Sequence, residues 1–562
     1  MAATSRGGQQ DEDERQGGQL TAKSAGLGVS VRFVEAFVEV LRAVYGREGA
    51  ARLTTGRCCA EVVVPLTEGS KGPLASLLAS PEGGEAVAAL LRARGAADQT
   101  QQQRALAAVA ELRRPRDVAP ARLFVSHAWG CQVEDVLLTA IQNVKKTSQS
   151  PKNDGDQTEG RAVVDRSIAG ESAGMTLWFD LFANAQHNCQ EKPFLWWAEE
   201  FKRHVAAVGH TLVVLTPWDR PLALSRVWVL FEIFCTVSQG CALSVALPPA
   251  EEASLSRCLV ADFDRVLQVL CAVDVQQSHA SFPADRDMIF TLVQQQHGGF
   301  RLLNATVLDS LRQWLLSFVQ TLRSQQLGSQ QSLHVEDLLS LQYAAGRLSI
   351  ILGRLQEALE LLATTHEQQQ KRLGERHLDT LRTAVFRAMA LYRCQRPEEA
   401  RALYAETLEA LVATVGLEHA VSLSCLSGHA WVCELLGELG RAEELCRTAL
   451  LLREKLLGSE HPDTLISMNN LGSVLGKLGH LDDCHATLSR CLHTRRATLG
   501  ASHPDSLFSA FLLASVARRI PQHHLEARPL LEETLRGQVH ILGEDHPDAI
   551  RSAAVLASWE DP

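Results

Sequence analysis

The chain has 562 residues, more than one core normally organises, so two to four domains are expected. Its 55 Lys and Arg against 65 Asp and Glu give a formal charge of −10, which offers no concentrated basic surface for nucleic acid or an anionic membrane. No stretch approaches the ~20 uninterrupted apolar residues that span a bilayer.

Residues 1–28 are polar, lack an apolar signal core and are expected to be a disordered N-terminus. The fourteen cysteines are scattered, several inside apolar helical patterns, and read as reduced thiols of a cytoplasmic protein. Cys58–Cys59 has no second pair at ligand spacing, so no metal site is expected there. Residues 29–119 carry helical patterns, with Phe33, Phe37, Val40 and Leu41 on one stripe, and read as a small helical region whose stripe is packing.

Over residues 120–250 short apolar strands alternate with helices: RLFVSHAW, TLWFDLF, TLVVLTPW and CALSVAL are the strands. That alternation predicts an α/β fold with a doubly wound parallel sheet. In such sheets ligands lie beyond the carboxyl ends of the strands. Ser126, His127 and Trp129 leave the first strand at that end, Asp180 the second and Trp218 the third. These five residues are the candidate ligand-binding rim, and Glu232 on the next helix is the candidate catalytic carboxylate. Ser126, His127, Asp180 and His187 hold the letters of a hydrolase triad. However, neighbouring residues on a strand point to opposite faces, and no nucleophile elbow is present. His127, His187 and Cys189 have no metal-ligand spacing.

LFVSHAW, LWFD, TLVVLTPW and SRVWVLFEI resemble a divergent TIR-type domain of flavodoxin-like order, with Ser225, Trp228 and Glu232 at the positions of its third-helix motif and Val229 replacing the usual cysteine. The resemblance implies either a signalling module that self-associates or an enzyme releasing nicotinamide from NAD. In the second case Glu232 is the catalytic residue by that resemblance, NAD is the substrate, and no cofactor is required. A carboxylate beside the ribose stabilises an oxocarbenium-like transition state, and Trp129 or Trp218 offers a face for a flat base.

Residues 251–330 read as a helical bridge, bent near Gly298–Gly299. From about residue 331 to 562 the chain repeats itself. LGERHLDTL, VGLEHAVSL, LGSEHPDTL, LGASHPDSL and LGEDHPDAI place histidines at 377, 419, 461, 503 and 546, spaced 42, 42, 42 and 43 apart. Ala358, Ala400, Ala442, Cys484 and Ala527 recur in register as small residues, and Gly353, Gly437 and Gly479 end the first helix of their periods. Gly458 stops a helix, Pro462 suits the first turn of the next, and Asp463 complements its positive end. Each period is therefore a helix pair that must stack on its neighbours: five units and a capping helix. Successive histidines are one stacked unit apart, roughly 10 Å, too far to share one metal ion, so no metal is expected.

The form LG-x-x-HPDT closely resembles the tetratricopeptide repeats of kinesin light chains and nephrocystin-like proteins. The resemblance implies a concave groove for protein or peptide partners, with Asn469 and Asn470 as groove residues that hold a ligand backbone. The equivalent places Ala344–Ala345, Val385–Phe386 and Ser427–Gly428 lack that amide, and no long heptad coiled coil joins the chain to a heavy chain. The sequence thus reads as a cytoplasmic scaffold or adaptor that recruits partners through its array. The alternative is an NAD nucleosidase using Glu232 and regulated by the array.

Overall fold

A computed structural model describes residues 27–70, 72–94, 98–112, 117–149, 175–183, 194–270, 273, 275–280, 283–295, 299–328, 335–542, 544 and 546–559. The N-terminal tail before 27, the insertion at 150–174 and the loop carrying His187 and Cys189 lie outside these residues. The chain forms two compact units, 1–258 with 264–293 and 303–314, and 259–263 with 294–302 and 315–562.

The first unit is built on a sheet. In chain order come β1 (Leu27–Ser30), α1 (Val31–Ala51), α2 (Gly83–Ala93), α3 (Gln99–Ala110), β2 (Val118–Pro120), β3 (Leu123–Ser126), α4 (Val133–Gln149), β4 (Thr176–Trp178), α5 (Phe194–Val208), β5 (His210–Val214), α6 (Val227–Ser238), β6 (Ala242–Ala246) and α7 (Pro249–Ala261). The sheet order is β2-β1-β4-β3-β5-β6. The last four strands run parallel, and β1 pairs antiparallel with both β2 and β4.

The region read as purely helical, 29–119, thus contributes two strands to the sheet. These strands are four and three residues long, too short to show a period of two. Ser30 ends β1 and at once caps α1 by accepting the Phe33 N–H at 3.1 Å. The Phe stripe packs as expected: Phe33 and Phe37 meet the Phe182 ring edge-on at 5.4 and 5.0 Å.

Alternation along β3 sends side chains into two layers. Leu123 and Val125 join the large core with Phe33, Phe37 and Phe179, whereas Phe124 stacks on Trp178 at 4.4 Å and packs with Val205 of α5. Helices therefore cover both faces of the sheet, and each buried aromatic side chain contributes roughly 2–3 kcal/mol of transfer free energy. Parallel strands β4, β3, β5 and β6 follow the order second, first, third, fourth. The switch point lies between β3 and β5, at their carboxyl ends.

The second unit contains α8 (Val335–Ile351), α9 (Leu355–Leu373), α10 (Leu378–Arg393), α11 (Pro397–Thr414), α12 (Ala420–Leu435), α13 (Leu439–Leu457), α14 (Pro462–Leu478), α15 (Leu481–Leu499), α16 (Pro504–Ala517), α17 (His524–Leu542) and α18 (Pro547–Ala557). These are five antiparallel pairs and a final helix. Gly479 closes α14 at φ 84° and Gly458 closes α13 at φ 87°, in the region glycine enters without strain. Ala358, Ala400, Ala442, Cys484 and Ala527 are each 0% exposed, where a larger side chain would hold the paired backbones apart. First helices of neighbouring repeats touch one another more closely than second helices do, so the stack is a solenoid with α8, α10, α12, α14 and α16 on its inner face.

Candidate functional site

The carboxyl edge of the sheet gathers most of the expected rim. Ser126, the last residue of β3, shares its face with Phe124 and donates its hydroxyl to a carboxylate oxygen of Glu232 on α6. Trp129, three residues on, donates its indole N–H to Asp180 at 2.7 Å. Asp180 begins a one-turn helix after β4 and accepts the Leu181 N–H at 2.7 Å. His127 points to the opposite face from Ser126, as strand alternation requires, and stacks on Phe179 at 4.5 Å. The serine and the histidine therefore form no dyad.

Electrostatics set these groups apart. Glu232 is 8% exposed, and loss of water around it pushes its carboxyl up to about 8, against the Ser126 hydroxyl and with the Asp180 charge. It therefore holds a proton at neutral pH. Burial also drives the His127 imidazole below its ordinary range, with the Asp180 charge opposing, and its Nε2 has no hydrogen-bond partner among the described residues. Trp129 is 38% exposed and is the open aromatic face of the edge.

Trp218 does not join them. Its indole is 3% exposed and donates to Ser254 of α7 at 3.1 Å, while its amide donates to Glu251 at 2.8 Å. The reason is local: Trp218 begins a polar turn whose apolar ring finds its burial against α7, so it offers no stacking surface. Trp228 likewise turns to Asp285 at 3.3 Å.

In the array, the two groove asparagines separate. Asn469 is 5% exposed and exchanges hydrogen bonds with Ser509 of α16 at 3.1 and 3.2 Å. It joins adjacent repeats and is buried between them rather than presented to a ligand backbone. Asn470 stays half-buried on the stripe Ile466, Asn470, Ser473 and Lys477, whose i, i+4, i+7, i+11 spacing follows the solvent side of α14. Equivalent positions in the other first helices carry Phe386, Met389, Trp431, Leu435 and Phe508.

Two sets of polar residues escape sequence reading. The repeated histidines are N-caps. Nδ1 of His377, His419, His461, His503 and His546 accepts the N–H two residues on at 3.3, 3.2, 3.2, 3.2 and 3.1 Å. Histidine is outside the usual capping set of Ser, Thr, Asp and Asn, and a following Pro-Asp signals the role only at His461, His503 and His546. The second set is a buried pair of arginines, 42 residues apart in sequence. Arg453 donates to Ser427 and Ser467 at 2.9 and 2.5 Å, and Arg495 donates to Ser509 and the Asp505 carbonyl, both at 2.9 Å. Arg453 thereby joins the first helices on either side of it, and Arg495 ties α15 to the start of α16.

Among the described residues no group of three His, Cys, Asp or Glu is arranged to hold a metal, every cysteine is a free thiol, and no helix is long and apolar enough to cross a membrane.

Family models described as tetratricopeptide repeat match residues 337–411, 424–497 and 523–548, and the array is made of such repeats. No curated protein matches the chain. Among solved structures, a kinesin-light-chain candidate from Podosopora anserina with nearly identical TPR-like repeats is 27% identical, covering 36% of this chain and 95% of its own, at TM-score 0.33. BtubC (BKLC) from P. vanneervenii is 16% identical over 45% of this chain and 92% of its own, at TM-score 0.34. A Rap protein complexed with Competence and Sporulation Factor is 13% identical over 55% of this chain and 85% of its own, at TM-score 0.33.

Proposed function

We propose that the protein is a scaffold that recruits protein partners on the inner face of its repeat array, with the TIR-like sheet unit as a docking or self-associating module. One observation carries this. Successive first helices leave Phe386, Met389, Trp431, Leu435, Ile466 and Phe508 half-exposed or exposed on one continuous side, Leu435 at 53% and Ile466 at 42%. Apolar side chains left open in register along one side support an interaction surface. The test is a displayed peptide library selected on the full chain. Selected peptides should lose binding to Phe386→Glu and Trp431→Glu and keep it with Leu451→Glu, a 67% exposed position on a second helix. Binding that ignores the inner substitutions defeats the proposal.

A second reading, cleavage of NAD, is supported by the meeting of Ser126, Asp180 and Glu232 near the switch point of the sheet. Against it stands the enclosure of the Glu232 carboxyl, which is tied to Ser126 rather than open to a ribose. Nicotinamide release by the full chain that disappears in Glu232→Gln would put the enzyme reading first.

A further inference from the structure

The five capping imidazoles share one chemical requirement. An Nδ1 that accepts an N–H carries no proton, so each cap exists only with a neutral ring. The five histidines also share one backbone conformation, with φ between −72° and −64° and ψ between 137° and 141°. The same bond therefore recurs at the start of α10, α12, α14, α16 and α18, once per repeat. A second ring proton does two things there. It converts the acceptor into a donor facing an N–H, and it sets a positive charge against the positive end of a helix.

We propose that the array carries an acid release: protonation of His377, His419, His461, His503 and His546 uncaps the first helix of each successive repeat and loosens the inner face those helices form. Because a solenoid is held by nearest-neighbour terms, a small loss repeated in every unit accumulates along the stack.

The charges facing each ring grade the response. His377 and His546 have carboxylates of Asp379 and Asp548 at 3.7 and 3.6 Å, which offset an imidazolium, though Arg382 and Arg551 already engage these acids. His461 and His503 start helices whose first turns meet buried cations: the Asp463 charge acts on Arg453, and Arg495 donates to the Asp505 carbonyl at 2.9 Å. His419 has Val421 where the other four have aspartate, and its neighbour Glu418 is held by Lys455 at 2.5 Å. The caps at 419, 461 and 503 are therefore the ones acid loosens most. Release of a bound partner rests on the scaffold reading; the loosening does not, and the test reads only the loosening.

The experiment uses the full chain and a variant with His377→Asn, His419→Asn, His461→Asn, His503→Asn and His546→Asn, since asparagine caps without titrating. Amide-exchange protection factors are measured for residues 379, 421, 463, 505 and 548 near pH 7.5 and near pH 5.5. In the parent, protection at 421, 463 and 505 should fall by roughly fivefold or more in acid, the size of one lost cap. In the asparagine variant it should not. Equal protection at both pH values in the parent, or an equal fall in the variant, overturns the proposal. Should the variant not fold, the ring-nitrogen spectrum of the ¹⁵N-histidine parent decides. The proposal requires unprotonated Nδ1 near pH 7.5 and a second ring proton near pH 5.5, in step with the loss of amide protection; rings that gain no proton refute it.

Discussion

The sheet unit and the array solve the burial of polar groups in opposite ways. In the array, buried arginines recur with the period and find their partners on neighbouring helices: Arg453 and Arg495 stand 42 residues apart and donate to serines there. In the sheet unit no period exists, and Ser126 meets Glu232 across 106 residues of chain. A local network fails locally, while a fold-wide contact is lost only with the fold.

That contrast is open to direct attack, and the largest effect is expected in the array. Arg495 is 3% exposed, and Arg495→Ala removes the guanidinium bonds to Ser509 and the Asp505 carbonyl and opens a cavity between α15 and α16. The expected loss is about 2–4 kcal/mol in urea unfolding of the full chain. Amide exchange should quicken in α14 to α17 and leave the sheet unit unchanged. A loss spread evenly over both units would break the comparison.

The next effect belongs to the sheet unit and is set by pH. Glu232 has its folded value raised to about 8, so the folded chain holds a proton that the unfolded chain gives up above the ordinary carboxyl range. Stability from this group is full below that range and declines as pH rises through about 8. Glu232→Gln removes the titration, and at pH above 8 the variant should exceed the parent by about 1–3 kcal/mol. Burial acts oppositely on imidazoles. In the array it depresses His429, and it lowers His366 to about 4, where the Arg387 guanidinium also lies 3.1 Å away. Their contribution is present above the ordinary imidazole range and is lost as pH falls toward the folded values. His127 and His210 bring the same acid penalty to the sheet unit, whose stability is thus highest between the two limits. A sheet unit that gains stability steadily with rising pH would contradict the assignment of Glu232.

Legibility followed the same divide. The helix pairs and their small buried residues were readable because a solenoid writes its contacts into the sequence at a fixed interval. Along the sheet the parallel core was readable from apolar runs, but β1 and β2 were not, because three or four residues carry no period. The meeting of Ser126, Trp129 and Asp180 at one edge was legible from the rule that polar residues leave parallel strands at their carboxyl ends, whereas Glu232 was reached through the third-helix motif and not through that rule. Trp218 misled because the same rule says nothing of where a large ring finds its burial. Asn469 misled because adjacent asparagines on a helix point about 100° apart, and only Asn470 took the open side. The histidine caps were visible as letters and not as bonds.

The smallest effect concerns a place where the period lapses. Gly353, Gly437 and Gly479 close the first helices of their repeats at φ 75°, 79° and 84°, and the residue at that place in the second repeat is Gln395, at φ 61°. Among the described residues it is the one non-glycine with positive φ, a conformation that costs an L side chain about 1 kcal/mol. Gln395→Gly relieves that strain, while the unfolded chain gains freedom that takes back part of the benefit. The net expectation is a gain of about 0.5 kcal/mol in urea unfolding, with exchange slowed at the start of α11 and nowhere in the sheet unit. A loss of stability would mean that the side chain at 395 holds the turn by contacts stronger than its backbone strain, and the left-handed closure shared by the first four repeats would then not depend on glycine where the period itself lapses.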